Sequence, residues 1–354
     1  MTVFNIHRGI NVSHWLSQVF GWSPVDTFIT DDDIRYIAQK GFDHIRLPID
    51  EERLWDVDEK QIETAFAKML WCIDESLKNN LKVIIDLHIL RSHHFNNSNN
   101  SEGAMTLWID PKAQDRFLDI WTQLSAVLKN YPTDMVAYEL MNEPVAPTHD
   151  DWNRLIKKAM THIRALEPDR IIFWGSNMWQ FAATMPFLEI PENDKNVVLS
   201  FHTYEPIMIT HYKAPWMLFK DYSGAVEYPG ISYPAVDCNE YFRTADEKAI
   251  EYVKLYNGFF DKAKLFENMK IALDKAKSLD LQLYCGEFGC LPTVGRKIRL
   301  NYYSDIISLF DENNIAYTAW DYKGDFGIRN WDRKNFVNLD EDQGLIDVLV
   351  KNSK

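Results

Sequence analysis

At 354 residues with 46% hydrophobic side chains, the chain can bury a large core as one big domain or two ordinary ones. Its formal net charge of −14 argues against nucleic acid or an anionic membrane as partner, because phosphate-binding surfaces are built from Lys and Arg. Aromatic residues reach 14%, including 12 Trp and 16 Tyr, more than core packing usually takes and suited to flat apolar faces such as sugar rings.

Residues 1–8 carry no apolar leader core and run straight into a predicted strand, so a cytoplasmic location is expected. No apolar stretch approaches the ~20 residues of a membrane span. Strand-like runs follow at residues 7–12, 44–47, 83–87, 136–141, 171–175, 197–201, 281–286 and 316–320. Between them lie segments of helical period, such as residues 62–71 and 113–128, with Asp31 as the expected N-cap of the first helix. Alternating β and α units with continuous apolar strands predict a closed (β/α)8 TIM barrel spanning residues 1–354 as a single domain. An open doubly wound sheet is the rival, but no G-x-G-x-x-G follows the first strand.

Residues 205–260, between the sixth strand and a helix expected near Asp261, are too long for an ordinary connection. They contain Tyr212, Trp216, Phe219, Tyr222, Tyr228, Tyr233, Tyr241, Phe242, Tyr252 and Tyr256, too many aromatics for a linker, and read as an insertion subdomain over the barrel mouth. Residues 96–101, rich in Asn and Ser, read as a loop after the third strand. Cys72, Cys238, Cys285 and Cys290 lack disulfide-framework spacing and read as small core hydrophobes.

Two glutamates end apolar strands: Glu143 in Tyr138-Glu139-Leu140-Met141-Asn142-Glu143-Pro144, and Glu287 in Leu283-Tyr284-Cys285-Gly286-Glu287-Phe288-Gly289. An ionisable group in such a place must be paired, protonated or functional, and two carboxylates suggest an acid/base pair. Active sites of β/α barrels lie at the C-terminal strand ends, which also collects Arg46, His88, Asn142, His202, Tyr204 and Trp320. Singly each has an ordinary structural explanation; together at one rim they read as a site.

This ordered set resembles glycoside hydrolase family 5, the cellulase family of retaining β-glycosidases. The resemblance runs from Arg8-Gly9-Ile10-Asn11 through Arg46-Leu47-Pro48, Asp86-Leu87-His88, Asn142-Glu143-Pro144, His202-Thr203-Tyr204 and Gly286-Glu287-Phe288-Gly289 to Trp320-Asp321-Tyr322. Asp26 to Thr30, Gly41 to His44 and the aromatic insertion look like the clostridial, leaderless endoglucanase C type within it. It implies the (β/α)8 barrel, Glu143 as acid/base and Glu287 as nucleophile. Retaining hydrolysis needs carboxyl groups ~5–5.5 Å apart, which these two reach only if the fourth and seventh strands share one mouth. Arg46 and Tyr204 would favour the charged form of Glu287, while Glu143 facing that charge has reason to stay protonated. Asn142 would hold the sugar 2-hydroxyl, His88 and His202 other hydroxyls, and Trp320 the ring face. Trp179 and Trp216, with Trp15, Trp22 and Trp108, are candidate platforms further along.

After His88 the chain departs from the family pattern, with Ile89-Leu90-Arg91-Ser92-His93-His94 where many relatives carry a Gly-containing turn and a second histidine. His88, His93 and His94 invite a zinc reading, disfavoured because no H-x-H ends the first strand and no carboxylate pair is spaced to complete the site. The expectation is a cytoplasmic, monomeric, retaining endo-β-1,4-glucanase with no metal or cofactor, acting on soluble β-glucan or gluco-oligosaccharide. A β-mannanase, xyloglucanase or exo-β-1,3-glucosidase would use the same machinery; a non-catalytic glycan-binding barrel would have lost a carboxylate, and both are present.

Overall fold

The computed structural model describes residues 3–19, 24–96, 105–191, 194–234 and 243–351. In chain order the strands are β1 (Arg8–Asn11), β2 (His44–Asp50), β3 (Lys82–Ile89), β4 (Val136–Glu139), β5 (Ile172–Gly175), β6 (Val197–Thr203), β7 (Gly230–Ile231), β8 (Phe259–Phe260), β9 (Gln282–Phe288), β10 (Ala316–Ala319), β11 (Arg329–Asp332) and β12 (Val337–Glu341). Eight of them close a barrel in the order β1-β10-β9-β6-β5-β4-β3-β2, and every pairing in it is parallel. The expected (β/α)8 barrel therefore forms. Its strands are buried on both faces, β2 along all seven residues, which is why they read as unbroken apolar runs.

The helices cover the outside with one apolar stripe each. Pro111–Leu128 starts under the Asp110 cap, which accepts from Lys112 N, and turns Phe117, Ile120, Trp121, Leu124 and Leu128 inward. Each such large side chain contributes about 1.5–3 kcal/mol on burial. The first helix, Asp31–Gln39, is capped by Thr30 and not by Asp31. Asp33 at the third helical position reaches back to Thr30 N at 3.0 Å, setting the cap one residue earlier. Asp33 is buried and also accepts from Lys323 Nζ (2.8 Å) and Tyr322 Oη (2.7 Å), tying the segment after β10 to this helix.

At the N-terminal end of the barrel Phe4 and Ile6 plug the bottom against Ile84, Ala137, Phe173, Val198 and Tyr284. The connection from β6 to β9 holds the short helix Ile207–Thr210, the antiparallel pair β7–β8 and the helix Glu247–Tyr256. Many of its rings pack on one another: Tyr222 stacks on Tyr233 with centroids 3.7 Å apart, and Tyr212, Phe219 and Tyr228 are buried. Tyr241, Phe242 and Cys238, like Trp22 and most of the Asn/Ser-rich stretch, lie outside the described residues. Cys72, Cys285 and Cys290 are buried free thiols.

Candidate active site

The rim residues meet at the C-terminal end of the barrel. Arg46, His88, His202 and Glu287 lie inside β2, β3, β6 and β9, Tyr204 and Trp320 just past β6 and β10, and Asn142 and Glu143 past β4. Arg46, expected at the end of the second strand, is mid-strand because β2 runs on to Asp50, and it is wholly buried. Its guanidinium is spent on every side. Nε donates to Glu139 Oε2 at 2.6 Å, Nη1 to Glu287 Oε1 at 2.8 Å and Asn11 Oδ1 at 3.0 Å, and Nη2 to Asn142 Oδ1 at 2.8 Å while lying 3.0 Å from Asp86 Oδ2. Three buried carboxylates thus share one cation, and unless some keep protons their charges are uncompensated. Burial lifts the Asp86 carboxyl to about 7 against the pull of Arg46.

Glu287 also accepts from Tyr204 Oη at 3.0 Å. Among the described residues no Lys or Arg pairs with Glu143; its Oε1 lies 2.9 Å from His202 Nδ1, which is 3.9 Å from Glu287 Oε2. Burial first, and then the charge of Glu287, push the Glu143 carboxyl well above the usual carboxylate range. Burial raises Glu287 too, but there the Arg46 guanidinium pulls the other way. The pair therefore keeps its last proton on Glu143. His202 is held neutral, driven well below its ordinary value by burial and then by Arg46. Gly286 makes this approach possible, since a Cβ there would lie 2.8 Å from His202 Nε2.

One ring nitrogen of His202 and one oxygen from each glutamate fall within 4.8 Å of one another. The three ring histidines considered for zinc do not converge in this way. His88 Nδ1 is bound to Asp86 Oδ2 at 2.7 Å, His93 points Nε2 at the Glu143 carbonyl (3.4 Å), and His94 Nδ1 accepts from Asn96 N. With Nδ1 spent on Asp86 and burial holding the ring neutral down to about 3, His88 leaves Nε2 a bare acceptor. Asn142 Nδ2 is likewise buried with no partner among the described residues. Unpartnered polar atoms lining a mouth suit a hydroxyl-rich ligand.

His88 stacks on Trp320 (5.5 Å, interplanar 9°) and meets Phe95 edge-on at 5.2 Å. Trp179 donates Nε1 to Phe95 O at 2.8 Å, so it joins this wall, and Phe181 beside it is 40% exposed. Trp216, half-buried, meets the Phe326 ring at 6.5 Å and packs against the cluster of Ala214, Leu291, Trp320 and Phe326. Trp15 is no platform: fully buried, it donates Nε1 to Val25 O, because the loop after β1 folds over it. Trp108 is half-buried against His93 and Trp152.

Sequence reasoning gave no role to Asn11, Asp86, Glu139 and Gln180, and weighed His93 only as a disfavoured zinc ligand. Asp86 and Glu139 did leave a signal, a carboxylate inside an apolar strand that must have a buried partner. Gln180 left none. It sits in a turn whose Met178, Trp179 and Gln180 all have φ between 56 and 60°, and Glu143 itself has φ 41°. Side chains in that left-handed region cost roughly 1–2 kcal/mol each, a burden that surrounding contacts must offset.

The family model described as Cellulase (glycosyl hydrolase family 5) matches residues 5–326. Endoglucanase C of Acetivibrio thermocellus is 33% identical over 349 residues, covering 97% of each chain. Cellodextrinase A of Ruminococcus flavefaciens is 29% identical over 313 residues, covering 88% of this chain and 84% of that one. Among solved structures, endoglucanase Cel5A of Thermotoga maritima matches in fold with a TM-score of 0.74 at 22% identity, covering 97% of this chain and 96% of that chain. The chain belongs to glycosyl hydrolase family 5, the cellulase family, and is a glycoside hydrolase.

Proposed function

We propose that this protein is a retaining endo-β-1,4-glucanase that cleaves soluble β-glucan or gluco-oligosaccharides by double displacement, with Glu143 as acid/base and Glu287 as nucleophile. The observation that carries the reading is the unequal pair: two carboxylates with oxygens within 4.8 Å, one clamped by Arg46 and Tyr204, the other without a Lys or Arg partner among the described residues. Inverting enzymes leave ~6.5–9.5 Å between their carboxyl groups for a water, whereas retaining ones keep ~5–5.5 Å.

In the first step Glu287 attacks the anomeric carbon while Glu143 gives its proton to the leaving oxygen. Once Glu287 is esterified its charge is gone, the main electrostatic reason for Glu143 to hold a proton disappears, and Glu143 now takes one from the incoming water. Asn142 Nδ2 is free to donate to the sugar 2-hydroxyl, His88 Nε2 to accept from a hydroxyl, and Trp320 to face the ring. Trp179 and Trp216 serve as outlying platforms, and residues 205–260 wall the cleft through the Trp216 side. The names of the relatives, endoglucanase and cellodextrinase, favour a glucan over a mannan.

The test is a 2-deoxy-2-fluoro-β-cellobioside with a good leaving group, followed by peptide mapping, with NMR of the first-formed product from cellotetraose. A fluoroglycosyl adduct on Glu287 and a β-configured product are expected; an α-configured product would rule out double displacement. Product sizes from barley β-glucan, carboxymethylcellulose, laminarin and glucomannan decide linkage and endo action.

A further inference from the structure

Gln180 is buried completely and hydrogen-bonds to Glu143, Glu139 and His202. Its Oε1 accepts from Glu143 N at 3.4 Å, its Nε2 donates to Glu139 Oε1 at 3.0 Å, and its carbonyl accepts from His202 N at 2.9 Å. Glu139 in turn holds Arg46 Nε, and Arg46 holds Glu287. One residue therefore links three parts of the site: its side chain joins the backbone of the proton donor to the Glu139 that holds the Arg46 guanidinium, and its main-chain carbonyl holds the backbone of His202. Room has been made for it: a Cβ on Gly175 would lie 1.8 Å from Gln180 Nε2. The left-handed run from Met178 to Gln180 is the backbone conformation that delivers this side chain inward, and strain kept at such a place is the usual mark of a geometry the site needs.

We propose that Gln180 is a positioning residue for Glu143, fixing the backbone from which the proton donor projects and tying it through Glu139 to Arg46. The proposal rests on the reading of Glu143 as the acid/base. Gln180 touches neither substrate nor reacting atoms in this role; it acts through Glu143 and His202. A displacement of about 1 Å in a reacting group can cost on the order of 10²-fold in rate, so a hydrogen-bonded anchor is a reasonable source of such precision. The effect must then be specific to steps that need the proton.

Gln180→Met keeps the length of the side chain and removes both hydrogen bonds. The measurement is kcat/KM for cellotetraose, whose alkoxide leaving group needs protonation, against 2,4-dinitrophenyl β-cellobioside, whose leaving group does not, with Glu143→Ala as reference. With a thermal midpoint within about 5 °C of wild type, Gln180→Met should lose about 30-fold or more on cellotetraose and less than about threefold on the activated glycoside. Gly175→Ala, which leaves Gln180 chemically intact but displaces its amide, should show the same split and carries the test if Gln180→Met does not fold. Equal losses on both substrates, or no loss on either, in a folded variant would overturn the proposal. If Glu143→Ala shows the split and the Gln180 and Gly175 variants do not, only the positioning role falls; if Glu143→Ala shows no split, the acid/base reading falls and this inference with it.

Discussion

Arg46 Nη1 donates to Glu287 Oε1 at 2.8 Å across 241 positions of sequence, and neither side chain is more than 6% exposed. The same guanidinium reaches Glu139, Asp86, Asn142 and Asn11, so its planar fork sets the geometry of four strands at once. A lysine ammonium offers a point charge in place of that fork. Arg46→Lys should therefore lower kcat/KM by more than about 10²-fold, in line with the cost of misplacing reacting groups. Arg46→Ala should also destabilise the fold by about 3–5 kcal/mol, since it strands buried carboxylates. Urea melts read the second effect and steady-state kinetics the first; wild-type turnover in Arg46→Lys would show that charge alone suffices.

Replacing the acid/base separates its two duties. Glu143→Ala should lose about 10²–10⁴-fold on natural glucans while still being glycosylated by 2,4-dinitrophenyl cellobioside, which needs no proton. Added azide, an anion that needs no general base, should then accelerate turnover and yield β-cellobiosyl azide. Equal loss on both substrates with no azide effect would mean that Glu143 is misassigned.

The pH–rate profile should be bell-shaped, and its two limbs can be moved separately. Burial and the Glu287 charge hold the Glu143 proton well above the ordinary carboxylate range, so activity falls on the alkaline side as Glu143 ionises. On the acid side it falls as Glu287 takes up a proton. Glu287→Gln removes the negative neighbour, so the charged form of Glu143 is less disfavoured and its pKa must drop. Carboxyl titration of Glu143 by infrared difference or ¹³C NMR in wild type and Glu287→Gln checks the sign; an unmoved pKa would assign the shift to burial alone.

Asp50 offers a stability prediction away from the chemistry. Burial lifts its carboxyl to about 7, while an unfolded Asp titrates near 3.9. Between those values the unfolded chain releases a proton that the folded chain keeps, so this group's contribution is present below about pH 4 and is lost as pH rises through about 7. Asp50→Asn cannot ionise yet retains an acceptor for Gln18 N, now 2.7 Å from Asp50 Oδ2. Its stability relative to wild type should improve from pH 4 to pH 8, by at most about 4 kcal/mol. Denaturant melts at the two pH values test this, and a pH-independent difference would refute it.

The insertion should separate into a binding residue and a core residue. Trp216→Ala should weaken kcat/KM on cellopentaose more than on an aryl cellobioside, because a remote stacking contact binds ring faces without touching the reacting carbon. Tyr222→Ala, which removes a buried ring stacked on Tyr233, should instead cost about 3–5 kcal/mol of stability if the insertion unfolds with the barrel. Parallel chain-length profiles for Trp216→Ala and wild type would show the ring to be structural.

Periodicity along the chain was enough to determine the barrel. Each of the eight parallel strands is buried on both faces, so each appears as a local apolar run whose position needs no knowledge of its neighbours. The same locality exposed Glu143 and Glu287, because a carboxylate closing an apolar strand is conspicuous in one dimension. The first helix start was misread by one residue, since the choice between Thr30 and Asp31 turned on Asp33, which is itself held by Lys323 and Tyr322 from the far end of the chain. Only the tertiary structure decided which polar groups share Arg46, that Trp15 is core while Trp216 lies beside Trp320, and that Gln180 reaches Glu143. These are contacts between residues tens to hundreds of positions apart, and their energies depend on distance and on exclusion of water, two quantities that exist only once the barrel has closed.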